Sequence, residues 1–296
     1  MVDLKVYTKF KKKTMVQKIN VRKLERELTK QGVWNEKEKM KIRKIIEATI
    51  EEKLPVVYRR KEERGRWYAK GMAQLQSCQK TIREVALSGQ GYSADIEVSF
   101  PTIVIAISDT IKEETGREVD LEEMRQMVKN KKKWREEAAK ELKTNIGKVK
   151  KAVNAMLFGM ELKKWKRVNG VREENRSAKL EKFEKEVKKI RFEIVRRERD
   201  KGRYGYEIKD TTILSKQVEE VEQQIIEHVI GRLEKEKWMV TTLIHDEIII
   251  EPNNICEDPG EELKDIRKII MQGLRDFEHE KKWENNLIKM EVAKMN

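Results

Sequence analysis

Two aspartates, Asp95 and Asp246, lie 151 residues apart, and each is inside a short run of apolar and β-branched residues. The runs, ADIEVSFPTIVIA and TTLIHDEIIIE, are typical of buried strands. If the strands lie side by side, the two carboxylates can hold a pair of divalent cations for phosphoryl or nucleotidyl transfer. Mg²⁺ suits such a site because it binds a few carboxylates together with substrate phosphate oxygens. The alternative is that each aspartate only caps the end of its strand.

A basic helical segment lies between the two aspartates. Lys150, Asn154 and Phe158 occupy positions i, i+4 and i+8, so they share one helix face. A lysine there can bind phosphate as a point charge, and the aromatic ring can stack on a base. Gly159 allows a chain or a base to approach closely. The alternative is an ordinary amphipathic helix whose inward residues are Val153, Met156, Leu157 and Met160.

The composition indicates a folded protein with a heavily charged surface. The 296 residues are 41% charged and 38% hydrophobic, and the apolar positions recur at helical spacing. The formal net charge of +14 favours a polyanionic partner. Charge alone leaves a second interpretation open, because lysine- and glutamate-rich chains can also merely solvate their helix faces.

Other features restrict the setting in which the chain works. Cys78 and Cys256 are too few for a disulfide framework or a zinc site, which is typical of a reducing interior. The longest apolar stretches, such as Thr102–Ile107, are too short to span a bilayer. The lysines near the N-terminus are not followed by an apolar core, so no signal peptide is predicted. We therefore expect an intracellular protein with no membrane partner.

The pattern of helices and strands predicts an α+β fold. Helices are predicted over residues 15–54, 119–168, 172–200, 212–236 and 261–281. Strands are predicted over residues 92–100, where Pro101 turns the chain into a helix, and near 286–293. Residues 238–250 predict a strand, a turn and a strand, with His245, Asp246 and Glu247 at the tip. Strand, helical insertion, helix, hairpin, helix and strand is an α+β order.

Four motifs resemble those of family A (Pol I-like) DNA polymerases. That family carries Gly-Arg, Leu-Gln, Ile-Arg and Ala-Asp in order before its first catalytic strand. This chain carries Gly65-Arg66, Leu75-Gln76, Ile82-Arg83 and Ala94-Asp95. Residues 150–159 resemble its fingers-helix motif, a lysine followed eight residues later by an aromatic residue and glycine. Residues 217–247, a long amphipathic helix that leads into His-Asp-Glu, resemble its final motif.

The resemblance implies a right-hand polymerase architecture. It implies a palm made of an antiparallel sheet with packed helices, and a helical fingers insertion. The corresponding regions are a basic helical thumb-like region at 1–60, palm at 61–111 and 206–296, and fingers at 112–205. The shortened thumb and fingers point to help from a protein partner, such as a helicase or a processivity factor.

The resemblance also implies residue roles. Asp95 and Asp246 correspond to the ligands of two Mg²⁺ ions, for which Mn²⁺ can substitute, and Glu247 belongs to the same catalytic centre. The implied nucleotide-binding residues are Lys150, Asn154, Phe158, Phe100 and Lys143. The implied primer–template contacts are Arg66, Gln76, Arg83 and, at the primer terminus, His245.

The chain departs from the family pattern at two places. The family has a second basic residue one turn before its fingers lysine, where this chain has Ile146; Lys143 or Lys148 can take that role. Lys151 replaces Lys150 if the register is shifted by one. The family also has a glutamate five residues after its first aspartate, where this chain has Phe100 followed by Pro101. That sequence is similar to the first motif of family B polymerases and to small, divergent family A relatives of viruses and mobile elements.

The sequence therefore predicts a template-directed polymerase that adds deoxynucleotides to a primer 3′-hydroxyl by a two-metal mechanism. One alternative is a primase or an RNA polymerase of the same palm family. Another is a non-catalytic nucleic-acid-binding protein with a degenerate palm. Phe100 is either a gate that excludes the 2′-hydroxyl or a core residue that anchors the turn from strand to helix.

Overall fold

The computed structural model describes residues 11–60, 65–252, 258–284 and 286–295. Within these ranges the seven strands are β1 Lys11–Lys18, β2 Lys53–Arg60, β3 Tyr68–Ala69, β4 Tyr92–Ile96, β5 Met239–Ile244, β6 Glu247–Glu251 and β7 Met290–Lys294. The eleven helices are α1 Val21–Thr29, α2 Glu36–Ala48, α3 Lys80–Ala86, α4 Ser99–Thr115, α5 Glu122–Lys129, α6 Lys131–Glu141, α7 Ile146–Leu157, α8 Leu162–Val168, α9 Ala178–Asp200, α10 Asp210–Lys235 and α11 Pro259–Lys281. The predicted α+β class is confirmed. The palm, fingers and thumb arrangement stays a prediction.

The chain divides into two compact units. The first unit comprises residues 1–96, 222–277 and 289–296, and the second comprises residues 97–221 and 278–288. All seven described strands belong to the first unit, and helices α4 to α9 belong to the second. The four predicted regions, with boundaries at residues 60, 111 and 205, stay predictions.

The first unit contains two antiparallel sheets. One has the order β1-β2-β3, and the other has the order β5-β6-β4-β7. In β2, exposed and buried residues alternate, so Leu54, Val56 and Tyr58 point into the core. This alternation is expected of a strand with one face against a core and one face towards solvent.

The predicted helical stretch over residues 15–54 is correct only in its middle. Helices α1 and α2 lie within it, and α2 begins with a capping box between Asn35 and Glu38. Residues 11–18 and 53–60 instead form β1 and β2, which pair over their whole length. Met15 and Gln17 are buried at a spacing of two residues, and this spacing fits a strand rather than a helix.

The passage from β4 to α4 also differs from the prediction. The strand ends at Ile96, four residues before the predicted end, and α4 begins at Ser99. Val98 separates them with φ at 51°, in the left-handed region that a β-branched residue rarely adopts. Pro101 therefore lies in the first turn of the helix, where the missing N–H is tolerated. The apolar run that follows is buried, from Thr102 to Ser108.

The second unit is helical, and its amphipathic helices supply its core. In α9 the buried residues recur every three or four positions, at Leu180, Phe183, Val187, Ile190 and Ile194. Its Ser177 N-cap accepts a hydrogen bond from the Leu180 N–H. The stretch 119–168, predicted as long basic helices, is divided into the four short helices α5 to α8.

Two later predictions are confirmed. Residues 238–250 form the β5–β6 hairpin with His245 and Asp246 in the turn, and the predicted helix over 261–281 is α11. The final strand, β7, begins four residues later than predicted. Across the described ranges, no helix is both long and apolar enough to cross a membrane.

Candidate active site

The strands of the second sheet bring the two predicted aspartates into adjoining positions. Asp95 on β4 lies directly opposite Glu247 on β6, and the N–H of Ile96 donates to the carbonyl oxygen of Asp246 at 3.1 Å. On its other side β4 pairs with β7, where Glu291 lies opposite Asp95. Three carboxylates thus form a row across β6, β4 and β7, with Asp246 next to its end.

The charges of this row act on one another. Partial burial, followed by repulsion from Asp246 and Glu247, raises the pKa of Asp95 to about 7, although the residue as a whole remains exposed. Lys80 opposes this shift. Burial likewise raises the pKa of Glu247, against the attraction of Arg83, whose guanidinium lies 3.9 Å from its carboxylate. A divalent cation bound here would reduce the repulsion among Asp95, Asp246 and Glu247.

A recess of about 430 Å³ lies over this row of carboxylates. Helix α3 supplies cations to its wall, and the strands supply the carboxylates; its lining includes Lys80, Arg83, Ser93, Asp95, Glu247 and Glu291. A polar recess with both signs of charge can accept a ligand that carries phosphates and bound cations together.

The acidic residues fit a cation that shares its ligands with a substrate. Over the part of the chain that the structure describes, no group of three or more His, Cys, Asp or Glu is arranged to hold a metal ion by itself. Mg²⁺ does not need such a cage, because it is usually held by one or two carboxylates, by waters and by substrate phosphates. Asp95 on β4 and Asp246 in the adjoining hairpin turn repel each other, and together they can supply such carboxylates.

The hairpin that carries Asp246 is held by side chains at its outer edge. Within the part of the chain that the structure describes, β5 is the last strand of its sheet, so the main chain of Leu243 has no strand partner on that side. Its N–H donates to the hydroxyl of Tyr58 at 3.2 Å, and its carbonyl oxygen accepts from Tyr58 and from the Gln76 amide, each at 3.3 Å. Gln17 donates to the same hydroxyl at 2.8 Å. The Tyr58 hydroxyl thus uses its one proton and both lone pairs.

Gln76 is buried, and its amide is occupied by main-chain groups. Besides Leu243, its nitrogen donates to the carbonyl of Trp67 at 2.9 Å, and its oxygen accepts from the N–H of Ala69 at 2.9 Å. Gln76, predicted to contact the primer–template, therefore hydrogen-bonds to the main chain of β3, of the residue before β3 and of β5.

The other three predicted primer–template residues lie in the same unit. Arg66 forms two hydrogen bonds of 2.6 Å with Glu222, whose side chain is buried. Arg83 lines the recess and donates to the carbonyl of Cys78 at 3.0 Å. Burial, and then the positive charges of Arg66 and Arg83, lower the pKa of His245 against the pull of Asp246. His245 has φ at 55°, in the turn of the hairpin.

The predicted nucleotide-binding residues lie in the second unit, on and around α7. Lys150, Asn154 and Phe158 are all exposed, whereas Val153, Met156 and Leu157 are buried, so the predicted two faces of this helix are confirmed. The packing of α7 is therefore compatible with both interpretations. The helix can be an ordinary amphipathic element, or its exposed face can bind a ligand. Met160, predicted to face inward, lies beyond the helix and is only partly buried.

Phe100 and Phe158 contact each other. Their ring centroids are 5.2 Å apart and the ring planes are inclined at 72°, an edge-to-face arrangement. Phe100 is partly exposed and Phe158 is 59% exposed. Phe100 is thus paired with a ring at the end of α7 instead of being enclosed in the core.

The remaining basic residues near α7 differ in their availability. Lys143 is exposed, and it has φ at 51°. The ammonium of Lys148 donates to the carbonyl of Asn169 at 3.0 Å, whereas Lys151 is exposed. Gly159 has φ at 93°, and a Cβ there would lie 2.5 Å from Cγ2 of Thr211. The close approach predicted at this glycine is made by a threonine side chain.

Sequence reasoning missed three residues of the first unit. Lys80 could have been predicted, because it lies one helical turn before Arg83 in the segment whose motifs resemble those of family A polymerases. Glu291 and Tyr58 carry no local signal. Their roles depend on the pairing of β7 with β4 and on the meeting of Tyr58 with β5.

Comparison with known proteins gives a likeness of fold. No family model and no curated protein sequence matches the chain. The polymerase domain of Pol1 from M. smegmatis, solved in complex with DNA primer–template and dNTP, is similar with a TM-score of 0.58 and 12% identity. The match covers 86% of this chain and 50% of the M. smegmatis chain, so this chain spans about half the length of the protein it matches. The fold is therefore polymerase-like, and membership of family A has no support from sequence comparison.

Proposed function

We propose that this chain is a template-directed nucleic-acid polymerase, specifically a DNA polymerase that adds deoxynucleotides to a primer 3′-hydroxyl. The observation that supports it best is the pairing of Asp95 with the strand that follows Asp246, within a polymerase-like fold. In this reaction the 3′-oxygen attacks the α-phosphorus of the nucleotide. A new phosphorus–oxygen bond forms and the bond to pyrophosphate breaks.

In this proposal Asp95 and Asp246 hold two Mg²⁺ ions, with Mn²⁺ as a substitute, and Glu247 adds negative charge beside them. When bound, the ions activate the 3′-hydroxyl and neutralise the triphosphate and the leaving pyrophosphate. Tyr58 and Gln76 keep the hairpin in place through Leu243, which is three residues before Asp246. We assign Gln76 this positioning role in preference to the predicted contact with nucleic acid.

The nucleotide and the primer–template are assigned to other residues. Lys150 binds the triphosphate, Asn154 and Phe158 share its helix face, and Phe100 lies under the sugar; Lys143 adds positive charge nearby. Arg66, Arg83 and His245 contact the primer–template, with Glu222 fixing the Arg66 guanidinium. Residues 61–111 and 206–296 are the proposed palm, residues 112–205 the fingers and residues 1–60 the thumb-like region.

Primer extension tests the proposal. The protein is incubated with Mg²⁺ and a labelled primer on DNA and RNA templates, with either dNTPs or NTPs. Extension with dNTPs on a primed DNA template is expected. Synthesis from NTPs, especially without a primer, would favour the primase or RNA polymerase alternative. Binding of primer–template without extension under any of these conditions would favour a non-catalytic nucleic-acid-binding protein.

A further inference from the structure

The β1–β2–β3 sheet has an outer face that is apolar at its centre. Val16 is 47% exposed, Val57 37% and Tyr68 40%, whereas Met15, Val56 and other alternate residues are buried. Val16 lies opposite the exposed Pro55 in the pairing of β1 with β2, and Val57 follows Pro55 on the same face of β2, so these three residues are neighbours. Tyr68 lies opposite Arg59, the next residue of β2 on that face. A contiguous exposed apolar patch on a folded unit marks an interaction surface.

The same face is rimmed by cations. Lys12 lies directly opposite Arg59, which in turn lies opposite Tyr68, and Lys53 is exposed on β2. None of the three strands contains an aspartate or glutamate. Within the described residues, Lys12, Lys53 and Arg59 have no carboxylate partner. Lys18, also on this face, is paired with Glu251. Among the described residues, the face thus keeps three cations, Lys12, Lys53 and Arg59, that no carboxylate neutralises.

We propose that this outer face binds single-stranded nucleic acid. A strand laid on a sheet can stack its bases on Tyr68 and the aliphatic side chains while its phosphates meet Lys12, Lys53 and Arg59. A duplex hides the faces of its bases, so it would leave the apolar centre unused. The carboxylates of an acidic protein could pair with the cations, but they would not stack on the exposed ring of Tyr68 as bases do. The proposal rests on the proposed function only in that the bound strand would be the unpaired template.

The test is equilibrium binding of a fluorescein-labelled oligothymidylate, measured by anisotropy in EDTA and without nucleotide. Tyr68→Ala is expected to weaken binding by roughly 5- to 150-fold, whereas Tyr68→Phe should retain it because the ring remains. Arg59→Gln and Lys53→Gln should each lower the slope of log affinity against log salt by about 0.7. Lys37→Gln, which removes an exposed lysine from α2, is the matched control and should leave the slope unchanged.

Two outcomes would overturn the proposal. One is unchanged affinity in both Tyr68→Ala and Arg59→Gln, with far-UV circular dichroism and thermal unfolding equal to wild type. The other is equally tight, Tyr68-dependent binding of an oligoglutamate peptide of matched charge, which would assign the face to an acidic protein. The binding assay needs neither primer extension nor metal. The proposal for this face can therefore hold even if the chain proves not to be a polymerase. Conversely, failure of this surface leaves primer extension at saturating template unaffected.

Discussion

Asp95 lies directly opposite Glu247 on neighbouring antiparallel strands, although 152 residues separate them in the chain. Antiparallel strands joined by a short turn need only a local contact, whereas this pair closes a loop that contains the whole helical insertion. Such a non-local pairing costs loop-closure entropy. The packing of β4 between β6 and β7 offsets that cost and fixes Asp95 beside the turn that carries Asp246.

The first prediction concerns the acidic pair. Asp95→Ala or Asp246→Ala should lower Mg²⁺-dependent primer extension on the order of 10³-fold or more, since bound cations supply several kcal/mol of transition-state charge stabilisation. Affinity for primer–template should change little, because that affinity depends mainly on lysines and arginines. Steady-state extension and anisotropy on the same preparations measure both quantities.

A matched control is available on the opposite side of Asp95. Glu291→Gln removes a carboxylate from β7 that also lies opposite Asp95 but has no assigned metal role. It should leave most of the extension activity. Full activity in Asp246→Ala, or equal losses in Glu291→Gln and Asp246→Ala, would contradict the assignment of the pair.

The second prediction concerns Lys150. If its ammonium binds the triphosphate, Lys150→Ala should raise the apparent KM for nucleotide or slow chemistry by roughly 10- to 150-fold, the effect of about 1.5–3 kcal/mol. Lys12→Ala should instead weaken template binding and reduce its salt dependence. Kinetics at varied nucleotide concentration and anisotropy at varied salt separate the two effects.

The neighbouring lysines of α7 serve as controls for Lys150. Lys151→Ala removes an adjacent exposed lysine and should have little effect. If Lys151→Ala gives the nucleotide phenotype and Lys150→Ala does not, the register of the motif is shifted by one residue. Lys148→Ala breaks a hydrogen bond to Asn169 and should reduce stability more than nucleotide use. Equal effects of Lys150→Ala and Lys12→Ala on template affinity alone would refute the division of roles.

The third prediction concerns alkaline stability and Tyr58. Burial raises its pKa to about 12, against a value near 10 in the unfolded chain. The unfolded chain therefore loses the proton first, so this contribution is fully present below pH of about 10 and is lost as the pH rises towards 12. The loss is on the order of 3 kcal/mol. Urea unfolding of wild type and Tyr58→Phe across this range should show the steeper decline only in wild type.

Tyr58→Phe should also be less stable at neutral pH. It leaves the buried Leu243 N–H and the Gln17 amide without their acceptor, at a cost of about 1–3 kcal/mol. Tyr206→Phe is the control, because Tyr206 is 87% exposed and its hydroxyl is in water in the folded and the unfolded chain alike. The same alkaline decline in wild type and Tyr58→Phe would show that Tyr58 does not contribute to it.

The parts of this fold that the sequence predicts are those with a strong local pattern. The β5–β6 hairpin follows from a β-branched run interrupted by His245 and Asp246, and the two faces of α7 follow from its periodicity. Strand β1 could not be predicted in this way. Its sequence KKKTMVQK has few apolar residues, and it is stabilised by pairing with β2, more than 30 residues further along the chain. Tertiary pairing overrides weak local preference there.

The candidate site shows the same limit. The β-branched runs around Asp95 and Asp246 were sufficient to predict that their strands lie side by side, and β4 does pair with β6, which follows Asp246. That the two carboxylates act together on metal ions stays a prediction. The hydrogen bond from the Gln76 amide to Leu243 was not predictable. It depends on β5 being an edge strand, and only the folded sheet shows this. The opposition of Glu291 to Asp95 depends on the register of β7, which no local residue fixes.

The last prediction concerns the choice of sugar at Phe100. Its ring packs edge-to-face on the exposed ring of Phe158 and stays partly accessible itself. A ring in that position under a bound sugar leaves no space for a 2′-hydroxyl, so wild type should prefer dATP to ATP on a poly-dT template. Phe100→Val should raise ribonucleotide incorporation by a large factor while dATP extension persists, and Phe192→Val, at an exposed phenylalanine of α9, should leave the preference unchanged. If the ring instead mainly anchors the turn from strand to helix, Phe100→Val should lose stability and solubility without a change in sugar preference, since truncating a packed side chain is destabilising. A preference of wild type for ATP would remove the DNA polymerase assignment and favour the primase or RNA polymerase alternative.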